Sequence, residues 1–167
     1  DASFNLVAPT TNSDGPITYT SSNTAVATVS GSRITIVGGG TATITAIQSS
    51  TPNYSSARIT ALLTVNRGVP IITNFTMPIK EIGMPDFLII DPSSTSIGAF
   101  TYTSSNTAVA TIAGSTVTIV GAGTTTITAS QASNANFTAA TTTATMTVSQ
   151  ATAVLTGFSA ITKTFGN

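Results

Sequence analysis

The chain of 167 residues carries five Lys/Arg and five Asp/Glu, a formal net charge of zero, and neither Cys nor His nor Trp. Charged residues make up 6% of it, against about 25% in an ordinary soluble domain. Nucleic acid and anionic membrane surfaces are thereby excluded as partners: both select clustered Lys and Arg, and Arg33, Arg58, Arg67, Lys80 and Lys163 stand singly. The hydrophobic fraction of 41% is enough for a core, which argues against disorder. No apolar run approaches the ~20 residues of a spanning helix, so no membrane insertion is expected in this segment. The absence of Cys removes any disulfide framework. A Ser/Thr-rich, Cys-free chain suits a protein working outside a bacterial cell or on a virion.

Taken in order, the chain reads as short strands. Ile17 and Tyr19 form a first inward pair, and Ser30-Gly31-Ser32 is the signal of a tight hairpin. RITIV then places Ile34 and Ile36 on one face, and Gly38 to Gly40 break the chain. In TATITA, Ala42, Ile44 and Ala46 alternate with Thr41, Thr43 and Thr45, the period of a half-buried strand. ARITALLTV offers Ile59, Ala61, Leu63 and Val65 to a core, and NRGVP reads as a linker. The pattern then returns. Phe100 with Tyr102, Val117 with Ile119, Ile127 with Ala129, and Ala144 with Met146 and Val148 repeat each inward set before a second linker, SQATA. Thr124, Thr126 and Thr128 form the outward row of the second copy. No stretch has helical spacing.

The return is an internal repeat. YTSSNTAVATVSGSRITIVGGGTATITA, Tyr19 to Ala46, recurs as YTSSNTAVATIAGSTVTIVGAGTTTITA, Tyr102 to Ala129, at an offset of 83 residues. The same offset pairs Phe4 with Phe87, Gln48 with Gln131, Phe75 with Phe158 and Lys80 with Lys163, without a gap. Such self-similarity is the mark of an array. About seven short strands per period is the pattern of a small sandwich. Both copies should therefore share one topology. Tyr19, Ile36, Ile44, Ile59 and Leu63, with Tyr102, Ile119, Ile127 and Met146, should be buried, and Thr43 and Thr126 should face solvent.

The run YTSSNTAVATVSG, an apolar strand, and then VGGGTATITA together resemble the bacterial immunoglobulin-like (group 2) domain repeats of surface adhesins and of phage and virion surface proteins. In those repeats a Lys-x-aromatic-Gly element opens the domain and a Gln…Asn-Tyr element follows the Gly-Thr strand. Lys163, Phe165 and Gly166 match the first, Gln48, Asn53 and Tyr54 the second, while Lys80 and Gly83 flank Ile82 in place of an aromatic. The resemblance implies an all-β chain of tandem immunoglobulin-like β-sandwich domains. The domain limits expected are 1–68, a repeat lacking its first strand; 69–151, a complete repeat; and 152–167, the first strand of a following repeat. Val154 to Phe158 should then lie outside the core of the second repeat.

Chemistry has little to work with. Without His or Cys, nucleophilic catalysis would rest on Lys80 or Lys163, each read as a solvated Lys at a strand end. A Lys–Asn isopeptide bond needs a buried acid beside the pair, and the acids do not recur with the lysines: Thr164 matches Glu81. Glu81, Asp86 and Asp91 gather three of the five acids and are the candidate calcium set, although no DxDxDG spacing accompanies them. The Thr rows raise ice binding, against the blander reading of Thr as a good former of solvated strands. Tyr54 and Phe137 share one loop position, a packing role rather than a ligand contact. Asn53, Asn74 and Asn136 sit in N-x-[ST] sequons.

No catalytic or cofactor residues and no cofactor are expected. The expectation is a non-enzymatic structural module of an extracellular tandem-repeat fibre or stalk, on a bacterial or virion surface, acting as spacer or display element. Its partners would be neighbouring repeats, or copies of itself head to tail. The alternative is an adhesion module that binds a surface glycan or receptor through loops at a sandwich end.

Overall fold

The computed structural model describes residues 3–166 and, among them, fifteen strands and no helix. The first repeat runs β1 (Ser3–Asn5), β2 (Ile17–Ser21), β3 (Ala27–Ser30), β4 (Arg33–Ile36), β5 (Gly40–Gln48) and β6 (Ala57–Val65). The chain continues through β7 (Ile72–Thr73), β8 (Lys80–Glu81), β9 (Phe87–Leu88) and β10 (Ser93–Ser94). The second repeat closes with β11 (Phe100–Ser104), β12 (Ala110–Ala113), β13 (Thr116–Ile119), β14 (Gly123–Gln131) and β15 (Ala140–Ser149). At the offset of 83, β2 to β6 return as β11 to β15 residue for residue, β15 running one residue longer. The chain is an all-β tandem of immunoglobulin-like sandwiches.

In the first repeat the two sheets are β1-β4-β3 and β2-β5-β6. In the second they are β12-β13-β9 and β11-β14-β15-β8, with a ribbon of β10 and β7. Two compact units result. One comprises residues up to Thr73 with Ser93–Phe100 and Ser130–Thr141; the other comprises Asn74–Pro92, Thr101–Ala129 and the stretch from Thr142 onward.

Local sequence explains the register. Ser30 pairs with Arg33 and Ala113 with Thr116, so each hairpin has a two-residue loop opening on glycine. Gly31 and Gly114 adopt φ of 57° and 62°, the left-handed region that a hairpin turn of this length demands. Alternation along β5 and β14 then puts Ala42 and Ile44, and Ile127 and Ala129, into the interior. The first core gathers Val26, Ala27, Ile34, Ala42 and Ile44. The second adds Met146, Val148 and Ile89 to the equivalent set, with Phe75, Met77 and Phe87 packed against it.

The repeats differ at one edge. In the second, β8 pairs in parallel with β15 (Lys80 beside Val148, Glu81 beside Ser149), and β7 pairs antiparallel with β10. In the first, among the described residues, β6 pairs with β5 alone. That edge corrects the burial expected for Ile59, which is 58% exposed: an inward-pointing side chain on an outermost strand has no neighbour to cover it. Leu63, Ile36, Tyr102 and Ile119 are half-buried where they pack against the two cores, and Tyr19 is half-buried on β2, an outer strand. Thr43 and Thr126 are also half-buried rather than solvated, since β5 and β14 are central strands flanked on both sides.

Leu63 and Met146 occupy equivalent positions with unequal cover. Met146→Ala is expected to cost about 2–5 kcal/mol and Leu63→Ala only about 1–2, read as separate shifts in urea unfolding. Equal losses would mean that the first core is as closed as the second.

Candidate functional site

The side-chain amides that recur as Gln48 and Gln131, and as Asn23 and Asn106, are engaged in holding loops and turns. The Gln48 amide donates to the carbonyl oxygens of Ser13 and Gly15, both at 3.1 Å, while its Oε1 accepts from the Thr11 hydroxyl at 2.6 Å. Gln131 repeats the arrangement: its amide donates to Ser96 and Gly98 carbonyls at 3.0 and 2.9 Å, and Oε1 accepts from Ser94 at 2.6 Å. Gln131 is 2% exposed, so all three bonds are made out of water. The loop it grips passes so close to Ala132 that a Cβ on Gly98 would collide with the Ala132 carbonyl oxygen.

The SSNTAVAT segment has a similar task. Asn23 Oδ1 accepts from the Ala25 amide at 3.2 Å and Asn106 Oδ1 from Ala108 at 3.1 Å. Each Asn thereby closes the turn that delivers Val26 or Val109 to the core. In the second repeat Thr125 stands where the first has Ala42. Its buried hydroxyl is engaged by Ser104 at 2.8 Å and by the Asn106 amide at 3.0 Å. Reading Thr rows as outward missed this residue; its place opposite an inward alanine was the available signal.

The acids of the candidate calcium set are separately employed. Asp86 accepts from the Thr118 hydroxyl at 2.9 Å, Asp91 from the Tyr102 hydroxyl at 2.5 Å, and Glu81 lies in β8 beside Ser149. Among the described residues no three His, Cys, Asp or Glu are grouped to hold a metal ion. Lys80 places Nζ 4.7 Å from the centroid of Phe87, a cation–π contact. Tyr102, stacked on Phe75, has its phenol pushed well above the ordinary range by burial first, and then by the hydrogen bond and charge of Asp91. The other lysine, Lys163, is exposed, as are the sequon residues Asn53, Asn74 and Asn136.

Tyr54 and Phe137 diverge despite their shared position. Phe137 is half-buried against Gly68, whose amide donates to the Asn136 carbonyl at 2.9 Å and whose carbonyl accepts from Thr138 at 2.8 Å. Tyr54 is 41% exposed and lines a groove of about 510 Å³ with Thr10, Thr11, Ile17, Arg58 and Ile59. At the equivalent place in the second repeat, β7 lies along β10: Thr73 faces Ser93, Ile72 faces Ser94, and Ile71 exchanges bonds with Thr95.

One buried oxygen in the first repeat has no partner, the hydroxyl of Thr51. Its counterpart Asn134 donates to Ser96 Oγ at 2.9 Å and accepts from the Asn136 and Phe137 amides. Thr51→Asn is therefore expected to stabilise the first repeat by about 0.5–1.5 kcal/mol, and Gln131→Leu to cost the second about 2–3, both read by denaturant unfolding. Tyr102 supplies a pH test. A phenol whose folded-state value is raised contributes stability that is whole below its unfolded value of about 10 and lost as pH climbs through the folded one. Tyr102→Phe should flatten the decline of stability above pH ~10.

Comparison with known proteins bears on the fold. Residues 10–50 and 93–133, one segment in each repeat, match the family described as "Intimin, immunoglobulin-like domain". No curated protein matches the sequence. Among solved structures, the chain is similar to Drosophila N-cadherin EC1-3 at 14% identity and TM-score 0.37, covering 89% of this chain and 60% of that one. It is similar to human protocadherin-24 EC1-2 at 16% identity and TM-score 0.30, covering 89% and 88%. It is also similar to a SusE-like, surface-located polysaccharide-binding protein from the heparin utilisation locus of Bacteroides thetaiotaomicron, at 14% and 0.30, covering 88% and 31%. The expectation of bacterial immunoglobulin-like repeats is thus met by the intimin immunoglobulin-like domain, to which each of the two repeats in this chain is similar.

Proposed function

We propose that the chain is a non-enzymatic spacer or display segment of an adhesin-type array on a bacterial or virion surface. The observation that carries this reading is the fate of the recurring polar residues. Asn23 and Asn106 close turns, and Gln48 and Gln131 clamp loops. What the repeats keep in common thus goes into building a sandwich, as a spacer requires. The segment between the repeated strands is tied at Gly68 by hydrogen bonds to Asn136 and Thr138. The domain limits that follow are 1–68, 69–151 and 152–167, with neighbouring repeats as the partners. No helix among the described residues is long and apolar enough to cross a membrane.

The second reading is a binding module for a surface glycan or receptor. The groove beside Tyr54 and Arg58 favours it, because an exposed aromatic beside a hydrogen-bond donor can carry a sugar ring. Two measurements separate the readings. Concatemers of the period 69–151 should lengthen by a constant increment per repeat in small-angle scattering, and the chain should not bind a polysaccharide panel. Collapse of the concatemers would sink the spacer, and saturable binding lost in Tyr54→Ala would establish the module.

A further inference from the structure

We propose that Asn74 is an attachment site for an N-linked sugar, and that the first ring of that sugar lies in the cleft bordered by Leu88 and Ile90. Such a modification is independent of both the spacer and the binding readings.

Three Asn-aromatic-Ser/Thr triplets occur in the chain, at Asn53, Asn74 and Asn136. A sequon is an acceptor only where the asparagine amide and the hydroxyl two residues on can enter a transferase together. At Asn136 the fold prevents this. Its backbone amide donates to Asn134 Oδ1 at 2.9 Å, and its carbonyl accepts from Gly68 at 2.9 Å. The Thr138 amide donates to the Gly68 carbonyl at 2.8 Å, and the Thr138 hydroxyl reaches the same oxygen at 3.4 Å. Asn74-Phe75-Thr76 is the reverse. Asn74 and Thr76 are exposed, and among the described residues neither makes a side-chain or loop hydrogen bond. Phe75 between them packs against the core and stacks on Tyr102, which holds the triplet at the surface.

The turn adds a second signal. Asn74 has a φ of 60° and is the one non-glycine residue with positive φ among the described residues. Its counterpart at the offset of 83 is Gly157, and glycine takes this conformation without strain. Asparagine tolerates the left-handed geometry and adds a free amide at the apex. Beside it a cleft of about 470 Å³ is lined by Asn74, Thr76, Met77, Leu88 and Ile90. Phe87 and Ile89 pack inward from this stretch, leaving Leu88 67% and Ile90 87% exposed. These aliphatic side chains meet the C–H face of a ring attached to Asn74, and covering them removes apolar surface from water. In the attachment, Nδ2 of Asn74 forms a bond to the anomeric carbon of a sugar diphosphate donor. The bond from that carbon to phosphate breaks, the diphosphate leaves with the electron pair, and one amide proton passes to a base of the transferase.

Trypsin separates the sites, because Asn53, Asn74 and Asn136 fall in the peptides Ile34–Arg58, Gly68–Lys80 and Glu81–Lys163. The folded full-length chain is treated with a soluble sequon-specific glucosyltransferase and UDP-glucose. Gly68–Lys80 should gain a hexose at least about tenfold faster than Glu81–Lys163, whose sequon must first break its bonds to Gly68. Synthetic peptides of these two sequons should label at comparable rates. Thr76→Ala, and Asn74→Gly, which installs the residue found at 157, should each abolish the label without shifting the unfolding curve. The labelled chain should melt at least about 2 °C higher than the unlabelled one. Leu88→Ser with Ile90→Ser should remove that gain and leave attachment intact. No label on Gly68–Lys80, or equal labelling of both peptides in the folded chain, would overturn the attachment site. Attachment without the rise in melting temperature would overturn seating in the cleft alone.

Discussion

The register of the two long central strands, β5 and β14, is the constraint on which the structure rests. Each is nine residues long and pairs on both sides, so its inward face meets the opposite sheet and its outward face meets its neighbours. A slip of one residue would send Ile44 or Ile127 to solvent and a threonine into the core. The chain defends against the slip at both ends of these strands. Asn23 and Asn106 fix the turn that precedes Val26 and Val109, and Gln48 and Gln131, the last residues of the strands, reach across to grip the loop before β2 and β11. A Cys-free chain has no disulfides for this purpose. Side-chain amide hydrogen bonds do it instead, buried in the case of Gln131.

From that frame follows the asymmetry between the repeats. Their strands β2 to β5 and β11 to β14 coincide residue for residue, yet one core is more covered than the other, because cover depends on a strand contributed from outside the repeated hairpins. In the second repeat the segment 71–81 supplies it, covering Phe87 with Lys80 and the end of β15 with β8. Without that cover, β6 is an edge strand carrying apolar side chains, the arrangement that soluble sandwiches otherwise avoid. In the second repeat the core is finished by the stretch that enters it.

The engagement of the recurring amides Asn23, Asn106, Gln48 and Gln131 in turns and loops shapes what such a module can do. Hydroxyls and amides that looked like a recurring polar surface are occupied within loops, and the acids near the second repeat's entrance accept hydrogen bonds from Thr118 and Tyr102. Variation between the copies reaches the interior, as at Ala42 and Thr125 or Ile34 and Val117, and it also falls on the loop pair Tyr54 and Phe137. There the same position serves as a groove wall in one repeat and as a packing residue against Gly68 in the other.

The sequence by itself determined the all-β class, the 83-residue array, the hairpin at Gly31 and Gly114, and the inward sets Ile44 with Ala42 and Ile127 with Ala129. These are local properties: a two-residue alternation and a glycine at a turn constrain the backbone wherever the chain goes next. Tertiary structure alone decided which apolar faces are covered. Ile59 and Met146 read alike as inward residues of equivalent strands, yet one lies at an unpaired edge and the other beneath β8 and Phe75. It also decided that Gln131 and Thr125 are buried and that Asp86 and Asp91 accept hydrogen bonds from different hydroxyls. Periodicity specifies the direction in which a side chain points; whether anything lies there depends on chain segments brought together from far along the sequence.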